Sequence, residues 1–585
     1  MLSPPPKGAP IAPAAGAPTL PKWRGLWVTV EREPAKAGGL GEVSKTIPQH
    51  LNQELGLDVR VIMPALSPVL EEGGWTDSGV TFDLPVNWSG EPPQATFNVL
   101  QRFEPLTKTW VYAIANERYF GRFRTLYFRG NHEPTLGADP TFQTILLFNR
   151  AAASLAPLLN RSSADDDALA RFDGNADFVM VHDWLTGALL ALLPKSYQVG
   201  RIFMLHNTYD EQRPIAYARD ALGLGDLPTG NTYAKFSPLE SAVHEAHVII
   251  ANQNYVGSLF LRDTFDLLTK NLADKFARRH VFDMHHGLSR DFDPVTTQAL
   301  ESDGFTRLQA PGGVCSREAL IAYKQTNKLA LQRLMGLDEK KDAVIFSWIG
   351  RFDPLQKGFY LVMEDAKPFL RKHPRAQWII GGSNSNNDSN VREFLDEVAN
   401  DPEMSGRIYA RDHFVGRDQV IRISAGSDFF MMPSLYEPFG LAQLEAMSLG
   451  CIPIVHGVDG LRSTVSDPFI DGLDFDGSPE RVATYGQVGM KIDGMNVPVY
   501  RQAINRQVDG EPLNQQQSWA RTDSQRKLRL ALARSLRLVP DSERFFKIIE
   551  NGRRFVETEH NWAHIIRRYE APLKSAVAMA HGITA

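Results

Sequence analysis

Cysteine is nearly absent from this 585-residue sequence: only Cys315 and Cys451 occur, far apart. They cannot build a disulfide framework or a cysteine-rich zinc site, and both are read as incidental. Long apolar runs are missing as well. No stretch approaches the ~18 residues that a membrane-crossing helix needs. The N-terminus, Met1-Leu-Ser-Pro-Pro-Pro-Lys7, lacks the apolar core of a signal peptide. A soluble chain that touches no membrane and works in the cytoplasm is expected. An excess of one charge is also lacking, with 63 Lys and Arg against 68 Asp and Glu and a net charge of -5. No basic run is present that could track a phosphate backbone, so nucleic acid is not expected as a partner. Near the motifs described below, no His, Asp, Glu or Cys cluster has metal-ligand spacing, which predicts chemistry without a metal.

What the sequence does contain exceeds one hydrophobic core, and two large domains are expected. Residues 1–22 are rich in Pro and Ala and read as a disordered leader. From Trp23 onward, short apolar strands alternate with helix-period segments. Gly25–Val30, Val59–Met63, Phe178–Val181, Arg201–Leu205 and Val248–Ala251 form one series. Val344–Trp348, Gln377–Ile380, Phe429–Met432 and Ile452–Val455 form a second. The alternation predicts parallel βα units in two doubly wound α/β domains, 23–290 and 291–560, with ligands at the carboxyl ends of the strands. Segments 296–318 and 468–525 carry weak periodicity and are read as loops or insertions, whereas 528–538 and 545–580 look helical.

Three loops and two strand ends carry candidate chemistry. Lys36-Ala-Gly-Gly-Leu-Gly-Glu42 follows the first strand, so Gly38 and Gly39 can bring backbone N–H groups to an anion at a helix start, with Lys36 adding charge. A tight βα turn would explain the same glycines. Gly350-Arg-Phe-Asp-Pro-Leu-Gln-Lys357-Gly358 puts a guanidinium and an ammonium on one loop, a pair suited to a diphosphate. In Pro433-Ser-Leu-Tyr-Glu437-Pro-Phe439-Gly-Leu-Ala-Gln-Leu-Glu445, a strand ends, a turn carries Glu437, and Gly440 and Leu441 are expected to open a helix whose first N–H groups face a ligand. Glu437 and Glu445 can each accept hydrogen bonds from vicinal hydroxyls, one set on a sugar and one on a ribose. His182 and His206-Asn207 end strands of the first series, where α/β enzymes place working residues.

Together these blocks, with Lys324-Gln-Thr-Asn-Lys-Leu-Ala-Leu-Gln332, resemble glycosyltransferase family five, the glycogen and starch synthases, over about Trp23 to Tyr569. The resemblance implies the GT-B architecture: two Rossmann-like domains facing a central cleft, with a C-terminal helix, here 561–585, that crosses back to the first domain. It implies retaining transfer of glucose from ADP-glucose to the non-reducing end of an α-1,4-glucan, with no metal and no cofactor beyond the nucleotide-sugar substrate. It casts Lys36, His182, Arg351, Lys357 and Glu437 as catalytic. Gly38, Gly39, Asn207, His286, Phe439, Gly440, Leu441 and Glu445 become donor-binding residues. Four positions depart from the family pattern. His286-Gly287 stands where Asn-Gly is common, Asp459-Gly460-Leu461 where Gly-Gly-Leu is, and Gln253-Asn254-Tyr255 where Ser-Pro-Ser/Thr-Tyr is frequent; the loop from Arg351 to Lys357 is one residue longer. Donor and acceptor therefore stay open to UDP-glucose, another hexose or a small acceptor. A catalytically silent glucan-binding scaffold is the contrasting class, and the intact charged residues speak against it.

Overall fold

The computed structural model describes residues 22–35, 39–86, 91–126, 140–160, 167–209, 213–214, 235–260, 267–311, 315–384, 387–471, 483–492, 494–538 and 542–583. Lys36, Gly38 and all but the last residue of the expected leader lie outside the described residues. Two compact units are present. One takes the described residues up to Ile202, those from Glu211 to His247 and those from Tyr569 on; the other takes Phe203–Asp210 and Val248–Arg568. The division falls inside strand β7.

Strands β1 (Arg24–Val28), β2 (Asp58–Pro64), β3 (Thr76–Pro85), β4 (Gln94–Glu104), β5 (Thr109–Ala115), β6 (Phe178–His182), β7 (Gly200–Leu205), β10 (Val248–Ala251) and β11 (Val281–Asp283) form a sheet in the order β11-β10-β7-β6-β1-β2-β5-β4-β3. β8 (Arg213–Pro214) and β9 (Lys235–Phe236) make a separate two-stranded ribbon. The strands around β1 pair in parallel and are buried on both faces, which requires continuous apolar runs: Leu26, Trp27 and Val28 are fully enclosed. β3 and β4 pair antiparallel, and along β3 exposed and buried residues largely alternate, as in a sheet with one solvated face. The helix Glu570–Ala580 belongs to this first unit, so the chain returns to it as expected. It approaches β7 so closely that a Cβ on Gly200 would lie 2.9 Å from the carbonyl carbon of Ala576.

The second sheet comprises β12 (Val344–Ile349), β13 (Ala376–Gly382), β14 (Ile408–Asp412), β15 (Phe429–Met432), β16 (Ile452–His456) and β17 (Met490–Ile492), in the order β14-β13-β12-β15-β16-β17. Every pairing is parallel. The strand order therefore reverses between β12 and β15, and the loops that leave those two strands diverge at the switch point where such sheets bind ligands. In the first sheet the corresponding reversal lies between β1 and β6.

A buried polar skeleton holds β12 and β15 in register. It comes from the helix Arg317–Met335, the home of the Lys324–Gln332 block. Lys324 Nζ donates to the carbonyls of Ala425 and Ser427 at 2.9 and 2.6 Å, and Lys328 pairs with Asp428 at 2.8 Å. Asp428 Oδ2 in turn accepts from the Ile345 N–H at 2.9 Å. Burial pushes the Lys324 ammonium down to about 8. This block is scaffolding for the loops, not part of the chemistry.

The structure corrects two readings. Segment 468–525 is not a loop: it contains the helix Val497–Val508 and the first part of Gln515–Leu538. The latter packs through charge, with Arg521 Nη2 at 2.6 Å from Glu364 and Arg529 Nε at 2.8 Å from Asp365. Both acids sit on the helix Phe359–Lys372, which follows directly after Lys357 and Gly358. The helix after Glu437 runs Ala442–Ser448, one residue beyond the expected opening, and Leu441 is its N-cap.

Candidate active site

Two loops meet at the β12/β15 switch point. The first runs from Gly350 to Gly358. Gly358 is required by crowding: a Cβ on it, at φ +63°, would lie 2.1 Å from the Pro433 carbonyl oxygen. Asp353 caps the inner turn by accepting from the N–H groups of Leu355 and Gln356 at 2.9 and 2.8 Å. The Gln356 carbonyl then accepts from the Leu435 N–H at 2.7 Å, tying the first loop to the second. Arg351 is exposed, and its Nη2 donates to the Gln356 side chain at 3.0 Å.

The second loop follows β15 and carries Glu437. Lys357 Nζ stands 2.6 Å from Glu437 Oε2, bringing together two of the expected catalytic residues. Lys357 keeps a quarter of its side chain exposed and Glu437 about a tenth, so the pair sits in a recess open to solvent. Both backbone groups of Glu437 are also held. Its N–H donates to Asp459 Oδ2 and its carbonyl accepts from the Gly460 N–H, each at 3.0 Å. The ring of His456 donates through Nδ1 to the Ser434 carbonyl at 2.9 Å. Gly440 has φ +79°, and the Gln443 amide, donating to its carbonyl at 2.8 Å, closes the turn before the helix. Glu445 lies in the first turn of that helix, half-buried.

Phe439 is the contact to a column of imidazoles. The His286 ring meets it edge-on at 4.8 Å and stacks on His206 at 6.1 Å. His560 donates through Nδ1 to the His286 carbonyl at 2.9 Å. His286 is buried, its Nδ1 has no hydrogen-bond partner among the described residues, and burial together with the neighbouring His206, His285 and His560 holds its pKa well below the usual value. Burial lowers His206 to about 4. Both rings are neutral at pH 7. Asn207, next to His206, accepts from the Tyr209 N–H at 2.8 Å.

In the first unit, His182 ends β6 beside β1, fully buried, with its ring 4.3 Å from that of Trp27. Its backbone N–H donates to Thr186 Oγ1 at 2.7 Å, and Asp183, which starts the helix Asp183–Leu192, has φ +49°. Gly39 is the first residue of the helix Gly39–Glu54, in the position an anion-binding turn would need. The loop that leads toward it is anchored by Arg32, whose guanidinium donates to both carboxylate oxygens of Glu104.

Sequence reasoning missed Asp459, Gln356, His456 and Gln443 as supports of the Glu437 loop. Asp459 registered only as a departure from a glycine pattern. No residue spacing signals the contacts of Asp459, Gln356 and His456, because they join separate segments of the chain, whereas Gln443 acts within its own turn on the Gly440 carbonyl. Among the described residues no His, Cys, Asp and Glu group is arranged to hold a metal ion, and no helix is long and apolar enough to cross a membrane.

Comparison with known proteins converges on one family. A model of the starch synthase catalytic domain matches residues 25–256, and a model of glycosyl transferases group 1 matches residues 343–484. The chain is 28% identical over 453 residues to the glycogen synthase of Bacillus cereus strain B4264, spanning 74% of this chain and 82% of that one. It is 28% identical over 461 residues to the glycogen synthase of Geotalea uraniireducens, spanning 76% and 84%. Among solved structures, the catalytic domain of starch synthase IV from Arabidopsis thaliana bound to ADP and acarbose matches with a TM-score of 0.69, covering 95% of this chain and 99% of that chain at 19% identity, a likeness of fold. Two Rossmann-like α/β sheets, each with a parallel core, match the GT-B architecture, and the protein is a glycosyltransferase. It resembles glycosyltransferase family five, the glycogen and starch synthases, in both its starch synthase catalytic-domain match and its glycogen synthase relatives.

Proposed function

We propose that this chain transfers glucose from ADP-glucose to the non-reducing end of an α-1,4-glucan, with retention of the anomeric configuration, without a metal and in the cytoplasm. The observation that carries the reading is the ion pair of Lys357 and Glu437, 2.6 Å apart on two loops at one switch point. A cation and a hydroxyl-accepting carboxylate stand side by side, as the two halves of a nucleotide sugar require. The names of the relatives, glycogen synthases, and the ADP and acarbose of the starch synthase IV structure agree with that donor and acceptor class.

In this reading Lys357 and Arg351 neutralise the diphosphate, and Glu437 leaves Lys357 to accept hydrogen bonds from the sugar. The N–H groups of Gly440 and Leu441 face the phosphates, Glu445 binds the ribose, and Phe439 with His286 walls the sugar. Lys36 and His182 take catalytic roles, and Gly38, Gly39 and Asn207 bind the donor. The acceptor hydroxyl attacks the anomeric carbon on the face from which the diphosphate leaves. The bond from that carbon to the phosphate oxygen breaks as the new glycosidic bond forms, and the acceptor proton passes to the departing diphosphate. Negative charge grows on the bridging oxygen, so cations fixed there stabilise the transition state more than the ground state.

A competition assay tests the donor and the acceptor together. Purified chain with glycogen should incorporate glucose from ADP-glucose in preference to equimolar UDP-glucose. Preference for UDP-glucose would overturn the donor assignment, and no incorporation from either would favour the scaffold.

A further inference from the structure

We infer that Asp459 is a positioning residue of this transferase: its carboxylate fixes the turn that presents Glu437. The inference rests on the reading of Glu437 given above. Asp459 follows β16 and opens the helix Asp459–Thr464, with φ +44°. That left-handed conformation is one that glycine adopts freely and that a residue with a Cβ adopts under strain. The chain nevertheless places a carboxylate there, 7% exposed, with Oδ2 accepting from the Glu437 N–H at 3.0 Å.

The neighbouring residue completes the clamp. Gly460 donates its N–H to the Glu437 carbonyl at 3.0 Å, and a Cβ on Gly460 would lie 2.2 Å from the Phe439 carbonyl oxygen. The turn at 459–460 thus grips both backbone groups of Glu437 while pressing on the backbone of Phe439. On the outer side, the Glu437 carboxylate receives Lys357 Nζ at 2.6 Å and Ser434 Oγ at 3.4 Å. Carboxylate and backbone of one residue are therefore both fixed. When the diphosphate engages Lys357, the two ties to 459–460 are the backbone ties that remain to hold Glu437 against the sugar, beside the longer contact from Ser434.

Three variants separate positioning from mere stability. Asp459→Gly removes the acceptor and also the strain of the positive φ, so its Tm should stay close to wild type. With ADP-glucose and glycogen as substrates, its kcat should fall by about ten- to a hundredfold, the scale that a small misplacement of a working group produces, with donor KM changing less than kcat. Asp459→Asn keeps an acceptor oxygen and tolerates the left-handed conformation, and should retain kcat within a few fold. Glu437→Ala serves as the reference and should lose more than Asp459→Gly. Near-normal kcat in Asp459→Gly beside a disabled Glu437→Ala would overturn the inference alone. Loss in Asp459→Asn as deep as in Asp459→Gly would also overturn it, since charge and not the accepted hydrogen bond would then be at work. Normal kcat in Glu437→Ala would remove both the reading of the site and this inference with it.

Discussion

The reversal between β1 and β6 and the reversal between β12 and β15 are the same topological feature built in two ways. At the first, β6 ends on His182 and a helix starts at the next residue, Asp183, so the imidazole is fixed by its own backbone and by Trp27. At the second, residues 433–441 separate β15 from its helix, and Glu437 sits within that loop. The short connection needs little support. The long one is tied by Gln356 from the loop after β12, and by His456 and the turn at Asp459 and Gly460 from the end of β16. Length gives the loop room to present a carboxylate and amides to a charged ligand, and hydrogen bonds from neighbouring loops restore the order that length removes.

The largest expected effect would fall on the charged switch point. Lys357→Ala should lower kcat on the order of 10²–10³-fold, roughly 3–4 kcal/mol of transition-state stabilisation, with a smaller change in donor KM. Arg351→Ala should behave similarly. Steady-state kinetics on folded protein checks both, and near-normal kcat in the pair would remove the assignment of this loop to the leaving group. Glu445→Ala comes next: it should raise donor KM by about tenfold and spare kcat, because a ribose contact is remote from the bond that breaks.

A smaller effect concerns pH. His206, and more strongly His286, have folded pKa values below that of an unfolded histidine, so the unfolded chain binds more protons over that interval. Stability contributed by these neutral rings is full above the ordinary histidine pKa and is lost as pH falls from there toward about 4, the folded value of His206. Thermal melts should show Tm declining on acidification through that window, less steeply in His206→Asn. The smallest expected effect is none: excess EDTA should leave transfer unchanged, and a magnesium-reversible loss would show that a cation shares the diphosphate.

How much could be read in advance follows from how each element is buried. β10 and β15 match the sequence reading residue for residue, because a strand enclosed on both faces is an uninterrupted apolar run. β3 escaped, since its buried position 78 is a serine and Gly79 falls within a register shift, so the alternation of burial is not an alternation of apolar residues. The helix Gln515–Leu538 was read only in its last part, because its first part, Gln515 to Arg526, is rich in Gln and Arg and docks through Arg521 onto Glu364, leaving a weak apolar stripe. At the site, Lys357 and Glu437 were each legible from the glycines and prolines around them. Their pairing across 80 residues was not, and neither was the role of Asp459, which exists only once β16 lies beside β15.

The central claim is that Lys357 serves the diphosphate and Glu437 the sugar, and calorimetric titration with ADP, which carries the first group without the second, tests it most directly. Lys357→Ala should bind ADP about tenfold or more weakly than wild type. Glu437→Ala, which frees Lys357 from its partner, should bind ADP at least as tightly as wild type. Equal weakening in both variants, or undiminished ADP affinity in Lys357→Ala, would contradict the account.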